Sequence, residues 1–434
     1  MSASATIFSV PRVMPSPAAN KSFADRQVAD AGHGIEKLLI ATLNRSEGET
    51  GIHAHTRSLV SGMREANVQC EMVSPFTGSV AWLAVFAVRT LLLNRLNKTW
   101  STQWHRYWHR RALERNLRAR LCRHQPNAII AQCPVSALAA LNVRRELDIA
   151  VPIVAVCHFN YSEASEYRDK GELRGEAAFQ AVIELETDVL RRVDQVIFVS
   201  NCAQAMVEED RGIVPKSSAV IWNGISGDMA TGAIQRSALR AKLGLSERDV
   251  VLINVGTLEP RKNQLALLDQ FARIATEHPA AKLLLVGDGP DRQSIVQKIT
   301  AMELGERVKC LGFRSDVPAL LAIADLCIHY ARLENCPVVL LEAARVGLPA
   351  AAVPAGGAAE ILGALGAGVL LDPDDLDKSA RTLAPLLTDP ALRREMGERA
   401  RAGFFERFTQ QAMVREYLAA LQSIGAAVTG RELG

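Results

Sequence analysis

The sequence predicts an α/β protein in which two doubly wound units face each other across a cleft. Three observations lead there. Short, nearly unbroken apolar runs recur along the chain, the pattern of parallel strands covered by helices on both faces. Each run passes through a turn into an amphipathic stretch, the strand–helix alternation that builds a parallel sheet. The alternation pauses over a polar stretch near 226–248 and then restarts. Length agrees, because 434 residues exceed one ordinary domain of roughly 150.

Taken in order, residues 1–36 lack the continuous apolar segment of a signal peptide and read as a flexible tail. The first unit, 37–227, holds predicted strands at 37–43 ("KLLIATL"), 69–75, 127–133, 152–159 ("PIVAVCHF"), 195–200 and 218–225. The second, 228–404, holds them at 250–258 ("VVLINVGTL"), 282–289, 308–313, 326–331, 349–354 and 368–373. Helical segments follow at 375–403 and 409–424. Ligands of open parallel sheets bind beyond the carboxyl ends of the strands, so two such units share a cleft.

Composition narrows the function. Hydrophobic residues make up 48% and charged residues 22%, as in a globular protein with an ample core. The net charge of +3 lacks the global basic field of a dedicated nucleic-acid binder. The eight cysteines are scattered singly, several inside apolar runs, which reads as reduced thiols in the cytoplasm. The longest apolar stretch, "VAWLAVFAV" (80–88), is too short to span a bilayer and reads as a buried or surface-inserted helix.

The most informative stretch is "ENCPVVLLEAARVGLPAAAVPAGGAAEIL" (334–362). A helix beginning at Pro337 would leave Glu334 on the preceding loop and put Glu342 in its second turn, since proline suits a first helical turn. The free N–H groups and positive dipole end of that helix suit a phosphate. Two carboxylates so placed can bind sugar hydroxyls on either side of a diphosphate. Arg261 and Lys262, in "NVGTLEPRKNQLALL", follow a strand and can neutralise pyrophosphate without a metal. Gly356 and Gly357 mark a loop where backbone must come close to a ligand. In the first unit Gly48 and Gly51 occupy the first strand-to-helix turn, and His158 ends a strand at the cleft. "VGDGPDR" lacks the third glycine of a dinucleotide fingerprint, and "DPD" (372–374) reads as a helix-capping turn rather than a metal motif.

Together these segments resemble the GT-B glycosyltransferases, specifically the retaining family 4. The likeness extends through "VDQVIFVSN" (193–201), "IWNGI" (221–225), "LVGDGP" (285–290) and "VKCLGFRSDVPALLAIADL" (308–326), nearly everything from 37 to about 424. The resemblance implies two Rossmann-like domains, with acceptor bound by 37–227, nucleotide sugar bound by 228–404, and 405–434 crossing back to the first domain. It implies that Arg261 and Lys262 hold the donor diphosphate, Glu334 the transferred sugar and Glu342 the ribose. Gly51 would admit the diphosphate, and His158 would sit by the reacting sugar. It also implies a metal-independent, retaining transfer of a hexosyl group, with a lean to mannosyl, onto a glycan or polyprenyl-linked acceptor for cell-surface polysaccharide. The chain departs from the family in having Thr257 where an arginine is common, and Asn335-Cys336-Pro337 where Gly-Phe-Pro is common. Two other readings are a non-catalytic nucleotide-sugar-binding module and a sugar phosphorylase or epimerase of the same architecture.

From Arg89 to Arg123 there are ten Lys/Arg and one acid, and three of the five tryptophans. At 100° per residue, Trp100, Trp104 and Trp108 share an arc with Arg111, Arg115 and Arg118, while Leu113, Leu117 and Leu121 form a separate stripe. Leucines toward the core would leave the Trp/Arg stripe outward, suited to anionic lipid on the inner face of the cytoplasmic membrane. The competing reading packs the indoles under segment 80–96.

Overall fold

The computed structural model describes residues 34–45, 51–77, 81–123, 125–228 and 236–429; the side chains of 81–84, 90 and 425–429 lie outside that description. Nearly all of the predicted tail and Gly48 fall outside it as well.

All twelve predicted strands form. In the first half they are β1 (Lys37–Ala41), β2 (Gln69–Val73), β3 (Ala128–Ala131), β4 (Ile153–Cys157), β5 (Gln195–Phe198) and β6 (Ser218–Val220). In the second they are β7 (Val250–Val255), β8 (Ala281–Val286), β9 (Val308–Gly312), β10 (Leu326–His329), β11 (Ala350–Ala352) and β12 (Val369–Leu370). They build two parallel six-stranded sheets, ordered β2-β1-β3-β4-β5-β6 and β12-β11-β10-β7-β8-β9. In β1, Leu38 pairs with Cys70 on one side and with Ala128 on the other. Central strands such as β4 are buried along their whole length, which is why the sequence shows unbroken apolar runs rather than alternation. Each order reverses once, between β1 and β3 and between β7 and β10, and the loops leaving those strands flank a crevice.

One face of the first sheet packs Leu39, Ala41, Ile129 and Val196 against Leu113 and Leu117 of the helix Lys98–Leu121 and against the helix Pro134–Leu147. The other face, with Leu38, Ile40, Leu59 and Met63, belongs to a core continuous with that of the second sheet. The helix Gln410–Thr429 makes the join. It packs on the helix Gly51–Glu65, with Met413, Val414 and Tyr417 buried, and Ile225 pairs with Thr409 where it begins. The predicted segments 375–403 and 409–424 are thus three helices, Leu376–Thr388, Pro390–Arg407 and Gln410–Thr429. Asp375 caps the first of them through Lys378 N, and Asp372 of the "DPD" stretch pairs with the Lys378 ammonium at 3.0 Å.

Candidate active site

The reversal of the second sheet collects the charged candidates. The loop after β7 runs through a single 3-10 turn, Pro260–Lys262, and the loop after β10 carries Glu334. Lys262 Nζ lies 2.5 Å from Glu334 Oε2, and His329 Nε2, from the end of β10, approaches the same oxygen to 3.1 Å. Burial works against the Glu334 charge, but the Lys262 ammonium and the His329 ring outweigh it and hold the carboxyl well below its usual range. Arg261 is tied back, with Nη2 donating to Glu259 Oε1 at 2.8 Å and Nη1 to the Leu333 carbonyl at 3.4 Å. A cation and an anion therefore sit side by side at the reversal of the second sheet.

The helix after Glu334 spans Val338–Arg345, with Pro337 as its N-cap rather than its first residue. Leu340 N already donates to the Pro337 carbonyl at 3.0 Å, which leaves the N–H groups of Val338 and Val339 at the helix start, the usual basis of an anion site. Glu342 falls in the second turn as expected, and burial raises its carboxyl against the pull of Arg345. Cys336 is buried, its thiol pushed up to about 12 by that burial. At Gly356 and Gly357 the chain itself comes close. Gly356 has φ +62°, and a Cβ there would lie 2.2 Å from the Glu334 carbonyl oxygen; one on Gly357 would lie 1.9 Å from that of Asn335. Gly357 N donates to the Glu334 carbonyl at 2.9 Å. The two glycines seat the acidic loop.

The same loops reach the first domain. Asn335 Nδ2 donates to the Phe159 carbonyl at 2.5 Å, and Asn335 N donates to Asn160 Oδ1 at 3.1 Å. Glu360 accepts from Asn201 N and Nδ2, both at 2.9 Å, and from Cys202 N at 2.6 Å. The two lobes are thus clasped directly beside Glu334.

On the first domain, His158 follows β4 and its Nε2 lies 2.9 Å from Gln132 Oε1, in the loop after β3. Behind it His55 packs edge-on with ring centroids 4.6 Å apart, and the Tyr417 hydroxyl lies 3.4 Å from His55 Nε2. Burial, and secondarily His55, lowers the His158 pKa far below its usual value, so the ring is neutral near pH 7. Gly51 opens the helix Gly51–Glu65 and is exposed. Sequence reasoning missed His329, Gln132 and Glu360. A histidine ending a strand was the signal that found His158, and His329 carries the same one.

The Trp/Arg stripe is only partly outward. Leu113, Leu117 and Leu121 are buried and Trp100 is exposed, as expected. Trp104, however, is half-buried against the helix Ala81–Val88, where its Nε1 donates to the Val85 carbonyl at 3.1 Å, and Trp108 packs beside it. Arg115 is exposed, but Arg111 pairs with Glu114 at 3.0 Å and Arg118 grips both oxygens of Glu146. The competing reading holds for Trp104, which meets segment 81–96 through Val85, and Trp108 is half-buried beside it. That segment exposes its own apolar side chains, Leu91, Leu92 and Leu96, and Trp100 follows it in sequence. No helix among the described residues is long and apolar enough to cross a membrane, and no three His, Cys, Asp or Glu converge there on a metal position.

Comparison with known proteins places the chain in a family. Over 179 residues the chain is 36% identical to an N-acetyl-alpha-D-glucosaminyl L-malate synthase of Bacillus anthracis, covering 41% of this chain and 47% of that protein. Over 197 residues it is 32% identical to a GDP-mannose-dependent monoacylated alpha-(1-6)-phosphatidylinositol monomannoside mannosyltransferase of Corynebacterium glutamicum, covering 43% and 51%. The chain thus spans about half the length of the curated relatives it matches. Among solved structures, Anabaena HepE in complex with UDP superposes with a TM-score of 0.67 at 23% identity, over 90% of this chain and 100% of that one. Two family models match in succession, Glycosyltransferase Family 4 over residues 50–228 and Glycosyl transferases group 1 over residues 235–403. Every strand but β1 lies within those two ranges, and the chain belongs to the group 1 glycosyltransferases of family 4, with their two-domain GT-B fold.

Proposed function

We propose that the protein transfers a hexosyl group from a nucleotide-diphosphate sugar to a glycan or lipid-linked saccharide, with retention of configuration and without a metal, in the assembly of cell-surface polysaccharide. The observation that carries this reading is the Lys262–Glu334 pair at the reversal of the second sheet. When a donor enters, Lys262 exchanges the Glu334 carboxylate for a phosphate oxygen. Glu334 then turns to the hydroxyls of the sugar, and Glu342 meets the ribose. Lys262, Arg261 and the N–H groups of the helix Val338–Arg345 stabilise the charge that builds on the departing diphosphate. Anion donors of this kind contribute roughly 2.7–4 kcal/mol each. The bond from anomeric carbon to phosphate oxygen breaks as the acceptor oxygen bonds to that carbon on the same face, and the acceptor proton passes to the departing diphosphate. A neutral, half-buried His158 suits a hydrogen bond to the sugar better than it suits proton removal.

The lean to mannose draws on the GDP-mannose-dependent relative, while the UDP held by HepE keeps uridine donors in view. We place the enzyme in the cytoplasm, docked on the inner membrane face through Leu91, Leu92, Leu96 and Trp100 rather than through the whole Trp/Arg stripe. Calorimetry with UDP and GDP tests the donor site. Lys262→Ala should weaken the bound nucleotide at least tenfold, and an unchanged dissociation constant would remove Lys262 from the diphosphate site.

A further inference from the structure

His329 is the last residue of β10, and its side chain is only 3% exposed. Its Nε2 lies 3.1 Å from Glu334 Oε2, the oxygen that Lys262 Nζ also holds. That nitrogen nevertheless has no aligned hydrogen-bond partner among the described residues. A buried ring nitrogen turned toward an oxygen that is already taken is unfavourable unless another state of the site uses it.

The ring's surroundings are sparse in charge. On one side β11 contributes only alanines, and His329 pairs with Ala352 there. On the other side β7 contributes an amide, Asn254, whose Nδ2 donates to the Ile328 carbonyl at 2.8 Å. The charged groups are Glu334 of the loop after β10, and Lys262 and Arg261 of the loop after β7. The helix Val338–Arg345 adds Glu342, which acts electrostatically on Cys327, two residues before His329 on the same face of β10.

Donor binding upsets this balance. In the resting chain Lys262 and Glu334 cancel, with side chains 12% and 19% exposed. A nucleotide diphosphate brings negative charge and draws Lys262 away, while Arg261 is already paired with Glu259. Glu334 is then a carboxylate out of water without its ammonium, and an unpaired buried charge is strongly unfavourable. His329 stands at the same oxygen and can replace the ammonium. Departure of a cation and arrival of an anion both favour the charged form of an imidazole.

We infer that His329 is a positioning residue for Glu334, and that donor binding is coupled to proton uptake. As the diphosphate takes Lys262, the His329–Glu334 pair takes a proton from solvent, and the imidazolium holds the carboxylate for the sugar's hydroxyls. The assignment rests on the transferase reading given above and adds a proton to its binding step. By linkage, donor affinity falls as pH rises, by up to about tenfold per pH unit where a whole proton is taken up.

Titration calorimetry with UDP-glucose and GDP-mannose, in two buffers of different ionisation enthalpy, counts the protons exchanged. Both probes are diphosphate diesters whose phosphates stay ionised near neutral pH, so the exchanged protons belong to the protein. Uptake approaching about one proton per bound donor is expected between about pH 6.5 and 8.5, with affinity falling over the same range. His329→Leu should lose at least about tenfold in affinity and take up no proton. His329→Gln keeps an N–H for the carboxylate but cannot carry the charge, so it should recover part of that affinity and still take up none. Circular dichroism checks the fold of both, and the glutamine variant decides alone if the leucine variant does not fold. Binding to wild type without buffer dependence would overturn the inference. So would uptake undiminished in His329→Gln, which would put the proton on Glu342 or His158. No heat from either probe would remove the transferase reading as well, a result distinct from binding without proton uptake.

Discussion

Asn335 stands where the family resemblance leads one to expect glycine, and its side chain accounts for the difference. A glycine could not reach the Phe159 carbonyl, which Asn335 Nδ2 meets at 2.5 Å. Together with Glu360, whose carboxylate takes three N–H donors around Asn201, it fastens the loops of the second lobe to the first. Net hydrogen bonds contribute about 1 kcal/mol each, and bonds to a carboxylate more. Asn335→Gly with Glu360→Gln should therefore loosen the clasp by a few kcal/mol and raise the radius of gyration of the ligand-free chain. Identical small-angle scattering from variant and wild type would show that the clasp lies elsewhere. Lys262 and Glu334 were legible in the sequence because each follows a strand in a distinctive local run. His329, Gln132 and Glu360 were not, because each matters only through a neighbour far away in sequence: Gln132 acts on His158, and Glu360 on the start of another helix.

At the scale of elements, the strands were legible because burial on both faces removes alternation and leaves runs that only parallel strands explain. Their ends were less so. The run 218–225 continues apolar, yet β6 stops at Val220: Ile221 N still donates to the Phe198 carbonyl of β5 at 2.9 Å, whereas Ile225 leaves the sheet to pair with Thr409 at the start of the crossing helix. The tryptophan stripe misled for a related reason. A helical wheel knows nothing of segment 81–96, which meets Trp104 and turns that part of the surface into an interface. What remains outside is the cluster Leu91, Leu92, Leu96 and Trp100, flanked by Arg95 and Lys98, which are also exposed. Apolar side chains ringed by bases suit an anionic lipid interface. Liposomes with anionic lipid should float the wild-type chain at low salt, and Leu91→Ser with Leu92→Ser and Leu96→Ser should abolish most of that binding. Flotation equal to wild type would move the contact elsewhere.

Across the whole molecule, buried neutral histidines set the response to acid. Burial lowers His55 from 6.5 to about 4, and burial with neighbouring rings and arginines lowers His105 to about 3 and His109 to about 4. The unfolded chain takes up protons on these rings below about 6.5, whereas the folded chain resists until near 4. Their contribution is whole above 6.5 and disappears as pH falls toward 4. A fully buried ring such as His55 contributes about 3 kcal/mol. Glu186, raised by burial, acts in the opposite sense. The melting temperature should drop steeply between pH 6.5 and 4, and His55→Asn should flatten that drop; an unchanged slope would show that His55 titrates normally.

One further consequence concerns the order in which the chain is made. Gly62 leaves a bare strip on the helix Gly51–Glu65, and a Cβ there would meet Val414 at 2.6 Å, so the strip is cut to receive a helix more than 340 positions downstream. While a ribosome is still producing the second lobe, the first lobe has its sheet but not its lid, and His55 and Met63 face water. Domains that emerge early with such seams are where misassembly begins. The first lobe thus spends most of its synthesis as an unfinished body, completed only when residues 410–424 leave the exit tunnel and close the seam.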